Sequence, residues 1–176
     1  MTNEEFQENV TRRELDTESI FFASFLAGLN LYNILNQAMI NKASDRAGAH
    51  LARFAKLSNP VKEKPDTTEE FQEAVDLLVK MLGISKDVKI TYTDGEPSVS
   101  IETSTCRFCP KGVGEAELNG TLCPFPALIE SFTNGLHDST VVSLYKERGK
   151  PTLTKKGNYC TFEYRIGETV KLGGKI

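Results

Sequence analysis

The positions of the four cysteines constrain the fold of this chain more than any other feature. Three lie in one short, proline-containing segment, and the fourth follows in a stretch with the alternating pattern of a β-strand: Cys106, Cys109, Cys123 and Cys160. Cys106 and Cys109 have the Cys-x-x-Cys spacing that lets two thiolates on a tight turn point at one ion. A tetrahedral site needs two more soft ligands, and Cys123 and Cys160 are the only other cysteines. A fold that gathers all four ties an irregular loop to a sheet.

These cysteines predict a structural zinc site. An iron–sulfur cluster needs the same four thiolates and ranks below zinc. Two other interpretations stay open, because free cysteines are often small buried side chains and because Cys106 with Cys109 has the spacing of a redox dithiol. The residues after Cys109 start no helix, which disfavours the redox pair. Histidine can replace a thiolate at zinc, and His137 is the candidate for that role.

Composition predicts one soluble domain. The chain has 176 residues, of which 39% are hydrophobic and 26% charged, and both shares are ordinary for a globular protein. The net charge of −3 gives no basic field for nucleic-acid binding. The acidic N-terminus is unlike a signal peptide, and the clustered cysteines are unlike a disulfide scaffold, so we expect a cytoplasmic protein. We divide the chain into a polar extension (1–18), one ligand-binding domain (19–167) and a tail (168–176).

Residues 19–41 contain no charged side chain, which is long enough to raise the question of a membrane span. Four amides recur along this stretch at helical spacing: Asn30, Asn33, Gln37 and Asn41. Amides in hydrocarbon are costly, so the pattern predicts one long helix in a soluble protein and no membrane span. The amide stripe is expected to line a subunit interface or an internal pocket, with a half-exposed helix as the alternative.

The remaining periodicity predicts the fold class. Helical patterns continue through the first half, and the pattern then alternates around Asp94-Gly95, a hairpin signal. The expected later elements are helices at 43–57, 67–82 and 127–136 and strands at 88–92, 98–102, 141–145 and 159–166. The chain is therefore predicted to be an α+β protein with three N-terminal helices. An antiparallel four-stranded sheet follows, with a helix inserted between its second and third strands.

Four aromatic residues on the apolar helix faces are candidates for the wall of a small-molecule pocket between the helices and the sheet: Phe22, Phe25, Phe71 and Phe132. The alternative is that this aromatic stripe is ordinary hydrophobic core.

Four segments of the sequence resemble a known family. They are Gly-Ala-His-Leu-Ala-Arg-Phe at 48–54, residues 71–83, residues 123–135, and Gly-Asn-Tyr-Cys-Thr-Phe-Glu-Tyr-Arg-Ile at 157–166. They are similar to the 4-vinyl reductase (hydrocarbon-binding) domain, which is related to TRAPP vesicle-tethering subunits and haem nitric-oxide-binding domains. The resemblance implies an α+β module, often dimeric, that binds an apolar ligand or a metal and in many relatives acts as a sensor. Cys123 and Cys160 match family cysteines, whereas Thr152 stands where relatives commonly carry another.

The predicted function is that of a cytoplasmic, regulatory ligand-binding domain with a cysteine-bound zinc and an apolar small-molecule pocket, forming a homodimer. One alternative is a thiol- or metal-dependent, reductase-like enzyme that uses Cys106 or Cys109. A dimeric adaptor without a ligand is another. We assign no catalytic residue, because the histidines and carboxylates form no acid–base pattern and no nicotinamide or flavin fingerprint is present.

Overall fold

The computed structural model describes residues 2–58, 66–111, 113, 122–138, 140–145 and 151–168. The helices in these ranges are α1 (Asn3–Arg13), α2 (Thr17–Leu31), α3 (Gln37–Ser58), α4 (Thr67–Leu82) and α5 (Phe125–Leu136). The strands are β1 (Val88–Thr93), β2 (Glu96–Glu102), β3 (Thr140–Leu144), β4 (Thr154–Lys156) and β5 (Tyr159–Glu168). This is the predicted α+β class with helices at the N-terminus. Residues 169–176 of the predicted tail lie outside the described residues.

The prediction of one unbroken helix over residues 19–41 is wrong. The helix α2 ends at Leu31, and α3 begins at Gln37. Asn33 between them has a left-handed backbone, with φ at 55°, which a continuous right-handed helix does not allow. Asn36 then accepts a hydrogen bond from the Met39 amide at 3.0 Å and so caps the new helix. Asparagine suits both positions, because it tolerates the left-handed region and its side chain forms hydrogen bonds with nearby backbone.

The predicted hairpin is confirmed. Strands β1 and β2 pair antiparallel, with Thr93 opposite Glu96. The two turn residues, Asp94 and Gly95, both have positive φ, as a two-residue turn matched to the sheet twist requires. This hairpin matters for the site because β2 leads directly into the segment that carries Cys106.

The sheet is antiparallel, in the order β1-β2-β5-β3. The short strand β4 also pairs with β5, where Lys155 lies opposite Cys160. On its other edge Cys160 lies opposite Ile101 of β2. Cys160 is therefore flanked on both sides by paired strands, and its position is fixed by the ladder.

The core lies between the helices and the sheet. Most of its largest fully buried side chains come from α4, α5 and β5, among them Phe71, Leu78, Phe125, Ile129, Phe132, Phe162 and Tyr164. The Tyr164 hydroxyl donates to the Pro126 carbonyl at 3.0 Å, which holds the first turn of α5 over β5. Within the described ranges, none of the helices has both the length and the apolar character needed to cross a bilayer.

Candidate metal site

All four cysteines line one cavity of about 330 Å³. They come from three separate parts of the chain. Cys106 and Cys109 lie in the turns after β2, Cys123 lies just before α5, and Cys160 lies in β5. The fold thus brings the predicted ligands together around one space, and all four are free thiols. Among the described residues, no three Cys, His, Asp or Glu side chains are arranged to hold a single ion directly.

The segment that carries Cys106 and Cys109 is held at its start by Glu102. The Glu102 carboxylate accepts hydrogen bonds from Ser104 at 2.6 Å and from Thr105 at 2.7 Å. These two hydrogen bonds lower the pKa of Glu102. The Arg107 amide adds a backbone bond of 3.0 Å to the Ile84 carbonyl. A loop with little regular structure therefore has a defined position before any ligand binds.

Phe108, between the two cysteines of the motif, anchors the loop from within. Its ring meets Phe22 of α2 edge-on at a centroid distance of 5.7 Å and meets Phe125 of α5 edge-on at 5.6 Å. Edge-to-face packing of this kind is a favoured aromatic geometry. The loop is thus clamped between two helices by an aromatic side chain that also lines the cavity.

Cys123 is positioned through its backbone by Gln37. The Gln37 amide donates to the Cys123 carbonyl at 3.0 Å and to the Asn41 side chain at 2.7 Å. Gln37 of the predicted amide stripe therefore holds a cysteine-bearing segment, and Asn41 of the same stripe orients the Gln37 amide.

Burial governs the protonation of three of the thiols. It raises the pKa of Cys106 to about 12, and the nearby Cys109 adds to the rise. Burial also raises the pKa of Cys123 well above its ordinary value, with Cys106 as the next cause. The pKa of Cys160 is raised first by burial and then by Cys109, while Lys155 and Lys111 oppose the rise. Without a bound cation these groups are protonated at neutral pH, and a protonated thiol is a poor nucleophile.

The wall of the cavity carries four cationic residues: Arg12, Arg13, Lys111 and Lys155. Arg13 is the most enclosed of them, with only 7% of its surface exposed. Its Nη1 donates to the Cys109 carbonyl at 3.2 Å, and its Nε is buried without a hydrogen-bond partner among the described residues. Such a wall suits an occupant that is negatively charged overall.

The four aromatic residues that were candidates for the wall of a small-molecule pocket lie in three different environments. Phe71 and Phe132 are fully buried in the core, and Phe71 packs against Tyr164. Phe22 is partly buried and contacts Phe108. Phe25 is 53% exposed. The structure therefore does not bring these four together around one space.

His137 lies at the end of α5, whereas Cys123 precedes the start of that helix. A helix of this length separates the two positions by about 18 Å. The His137 ring is buried, with Nδ1 3.7 Å from a carboxylate oxygen of Glu70. The residue that was the candidate for replacing a thiolate thus lies away from the cysteine cavity, beside a buried acid.

A family model, that of the MJ0207 family, matches residues 33–166. The chain belongs to the MJ0207 family. It is also similar to the uncharacterized protein MJ1342 of Methanocaldococcus jannaschii, with 27% identity over 112 residues that cover 62% of this chain and 93% of that protein. The MJ0207 match includes all four cysteines and Gln37, while α1 with Arg13 lies before it. Membership of this family does not test the resemblance to 4-vinyl reductase domains, which stays a prediction.

Proposed function

We propose that this protein is a non-catalytic, regulatory binding domain in which four cysteine thiolates hold a thiophilic metal. One observation supports the proposal above all others: Cys106, Cys109, Cys123 and Cys160, from three parts of the chain, line one cavity. If the four cysteines were only small buried side chains, they would not need to line the same cavity. Zinc and an iron–sulfur cluster both satisfy the proposal, since each is held by four thiolates.

A bound metal would join elements that the sheet alone leaves separate. It would tie the turns after β2 and the segment before α5 to strand β5. Ligand thiols lose their protons on binding, so metal binding offsets the cost that burial places on the thiolate form. The raised pKa of Cys106 argues against a free thiolate nucleophile.

An apolar small molecule beside a zinc ion is a second candidate for the occupant. The observation in its favour is the apolar part of the same wall, formed by Ile101, Phe108, Leu122, Phe125 and Leu153. In that case the domain would sense the compound through contacts next to the metal. We further propose that the protein is cytoplasmic, where free thiols persist, and that it forms homodimers.

Removing one proposed ligand tests the metal. We expect Cys109→Ala and Cys160→Ala to retain a small fraction of the metal content of the wild-type protein, measured per chain by elemental analysis. A metal whose free concentration is roughly a hundred times its Kd stabilises the fold by about 3 kcal/mol. Variants that no longer bind it should therefore melt roughly 6–12 °C lower.

Ser143→Ala is the control, because Ser143 is an exposed small residue of β3, outside the cysteine cavity. It should leave both the metal content and the melting temperature unchanged. Wild-type metal content in both cysteine variants, with unchanged stability, would rule out the proposed function.

A further inference from the structure

The cavity is larger than a single metal ion needs. Its volume of about 330 Å³ corresponds to on the order of ten water molecules at about 30 Å³ each. A lone zinc ion draws its four sulfurs in to roughly 2.3 Å, so the walls would have to converge on one point. An occupant larger than one ion fits a cavity of this volume better.

We propose that the four thiolates hold an iron–sulfur cluster, with Arg13 as its buried counter-charge. The inference rests on the proposed function and names the occupant of the same site. Iron–sulfur clusters are bound by four cysteine thiolates, commonly with two of them in a Cys-x-x-Cys spacing. The iron and sulfide atoms occupy the middle of the cavity, and the cysteines at its wall supply the outer ligands.

Charge is the second argument. A cluster held by four thiolates is negatively charged overall, and a buried negative charge needs compensation nearby. The described lining residues include four cations and no carboxylate. Arg13 and Lys111 line the same cavity as the cysteines, and Lys155 lies opposite Cys160 in the β4–β5 ladder. Positive charge therefore faces the cysteines from both α1 and the sheet.

Hydrogen bonding is the third argument. Arg13 Nε is a buried donor with no partner among the described residues, and a buried unpaired donor is costly. Cysteine-bound zinc, alone or beside an apolar compound, and an iron–sulfur cluster would each bring thiolate acceptors to this wall. A cluster would add sulfide acceptors, and hydrogen bonds to its sulfur atoms tune its reduction potential.

The occupant is identified by purifying the full chain without oxygen and measuring iron, acid-labile sulfide and zinc per chain. Reconstitution with ferrous iron and sulfide, or with zinc alone, is compared in parallel. We expect iron and sulfide in equal amounts, with a visible charge-transfer absorption that disappears in Cys109→Ala. One zinc per chain without sulfide, alone or with an organic compound in native mass spectra, would overturn the cluster and leave the proposed function standing. Absence of every metal after both reconstitutions would overturn both.

The role of Arg13 is tested on the reconstituted protein. Arg13→Gln removes the positive charge and should lower the reduction potential of the cluster. The reason is that a neighbouring positive charge stabilises the added electron, and the variant lacks that charge. Arg13→Lys keeps the charge and should restore most of the potential, which a purely structural role would not predict. Arg53→Gln, an exposed position on α3, is the matched control. A potential in Arg13→Gln equal to that of the control would exclude Arg13 as the counter-charge.

Discussion

Glu70 is fully buried, although an ionisable side chain rarely is. The Thr140 hydroxyl donates a hydrogen bond to one of its carboxylate oxygens, and the His137 ring lies beside the other. Thr140 and His137 are buried as well. Most buried polar groups are hydrogen-bonded, and this cluster links α4, the end of α5 and β3 through specific contacts.

Thr140→Val should therefore destabilise the protein. Valine has nearly the shape of threonine but cannot donate, so Glu70 loses one hydrogen bond without gaining access to water. We expect a loss of about 1–3 kcal/mol in the free energy of unfolding, measured by urea denaturation. Thr91→Val is the control, because Thr91 is exposed on β1. Equal effects of the two substitutions would show that the hydroxyl of Thr140 contributes no buried hydrogen bond.

At the scale of single residues, the sequence predicts the gathering of the cysteines but not the residues that position them. Arg13 belongs to a polar N-terminal stretch, and its partner, the Cys109 carbonyl, is 96 positions away. Gln37 belongs to the stripe of amides, and its contact with Cys123 likewise depends on the tertiary fold. A polar side chain on a helix has the same sequence pattern whether it faces water or a distant backbone carbonyl, so no local signal identified either residue.

Among the helices, α3 and α5 approach each other closely at Gly48. A methyl group at this position would lie 2.6 Å from the Leu128 carbonyl oxygen and 2.9 Å from the Phe132 amide nitrogen. Both atoms belong to the backbone of α5 and cannot rotate away. The absent side chain of Gly48 is therefore what allows α3 to lie against the helix that follows Cys123.

Gly48→Ala should push the two helices apart. Overpacking of this kind costs about 1–3 kcal/mol, which outweighs the gain of about 1 kcal/mol that alanine brings to a helix. Gly28→Ala makes the same change in α2, where no atom lies within 4 Å of the added methyl, and should stabilise the protein. The comparison requires only the two melting temperatures. A stabilised Gly48→Ala variant would contradict the close approach.

Helices and strands can be predicted from the sequence where a local signal marks their ends. The sequence predicts the β1–β2 hairpin through Asp94-Gly95, since the turn geometry depends on those two residues. It missed the break between α2 and α3, because an uncharged run with few glycines and no proline carries no strong stop signal. The aromatic stripe shows a different limit of sequence patterns. Periodicity identifies the buried face of a helix but not what packs against it. The sequence pattern around Phe71 is therefore the same whether its ring packs in the hydrophobic core or lines a pocket.

For the whole molecule, the exposed apolar side chains are unevenly distributed. Of the ten large ones in the described part of the chain, eight lie on α2, on α3 or between these two helices: Phe21, Phe25, Leu31, Tyr32, Ile34, Met39, Phe54 and Leu57. Phe21 and Phe25 stack on each other with ring centroids 5.9 Å apart. Concentrated apolar exposure is typical of an interaction surface, so this is where we expect the predicted homodimer to form.

We therefore expect the protein to sediment as a dimer at micromolar concentrations in analytical ultracentrifugation. Phe25→Glu places a charge within this surface and should raise the dimer Kd at least about tenfold, equivalent to roughly 1.4 kcal/mol, while the metal content stays unchanged because Phe25 is outside the cysteine cavity. Val141→Glu is the matched control, since Val141 is 46% exposed on β3, away from α2 and α3. Because aromatic anchors carry much of the binding energy of interfaces, the first substitution should separate the subunits and the second should not. A wild-type protein that stays monomeric at these concentrations would contradict the dimer directly.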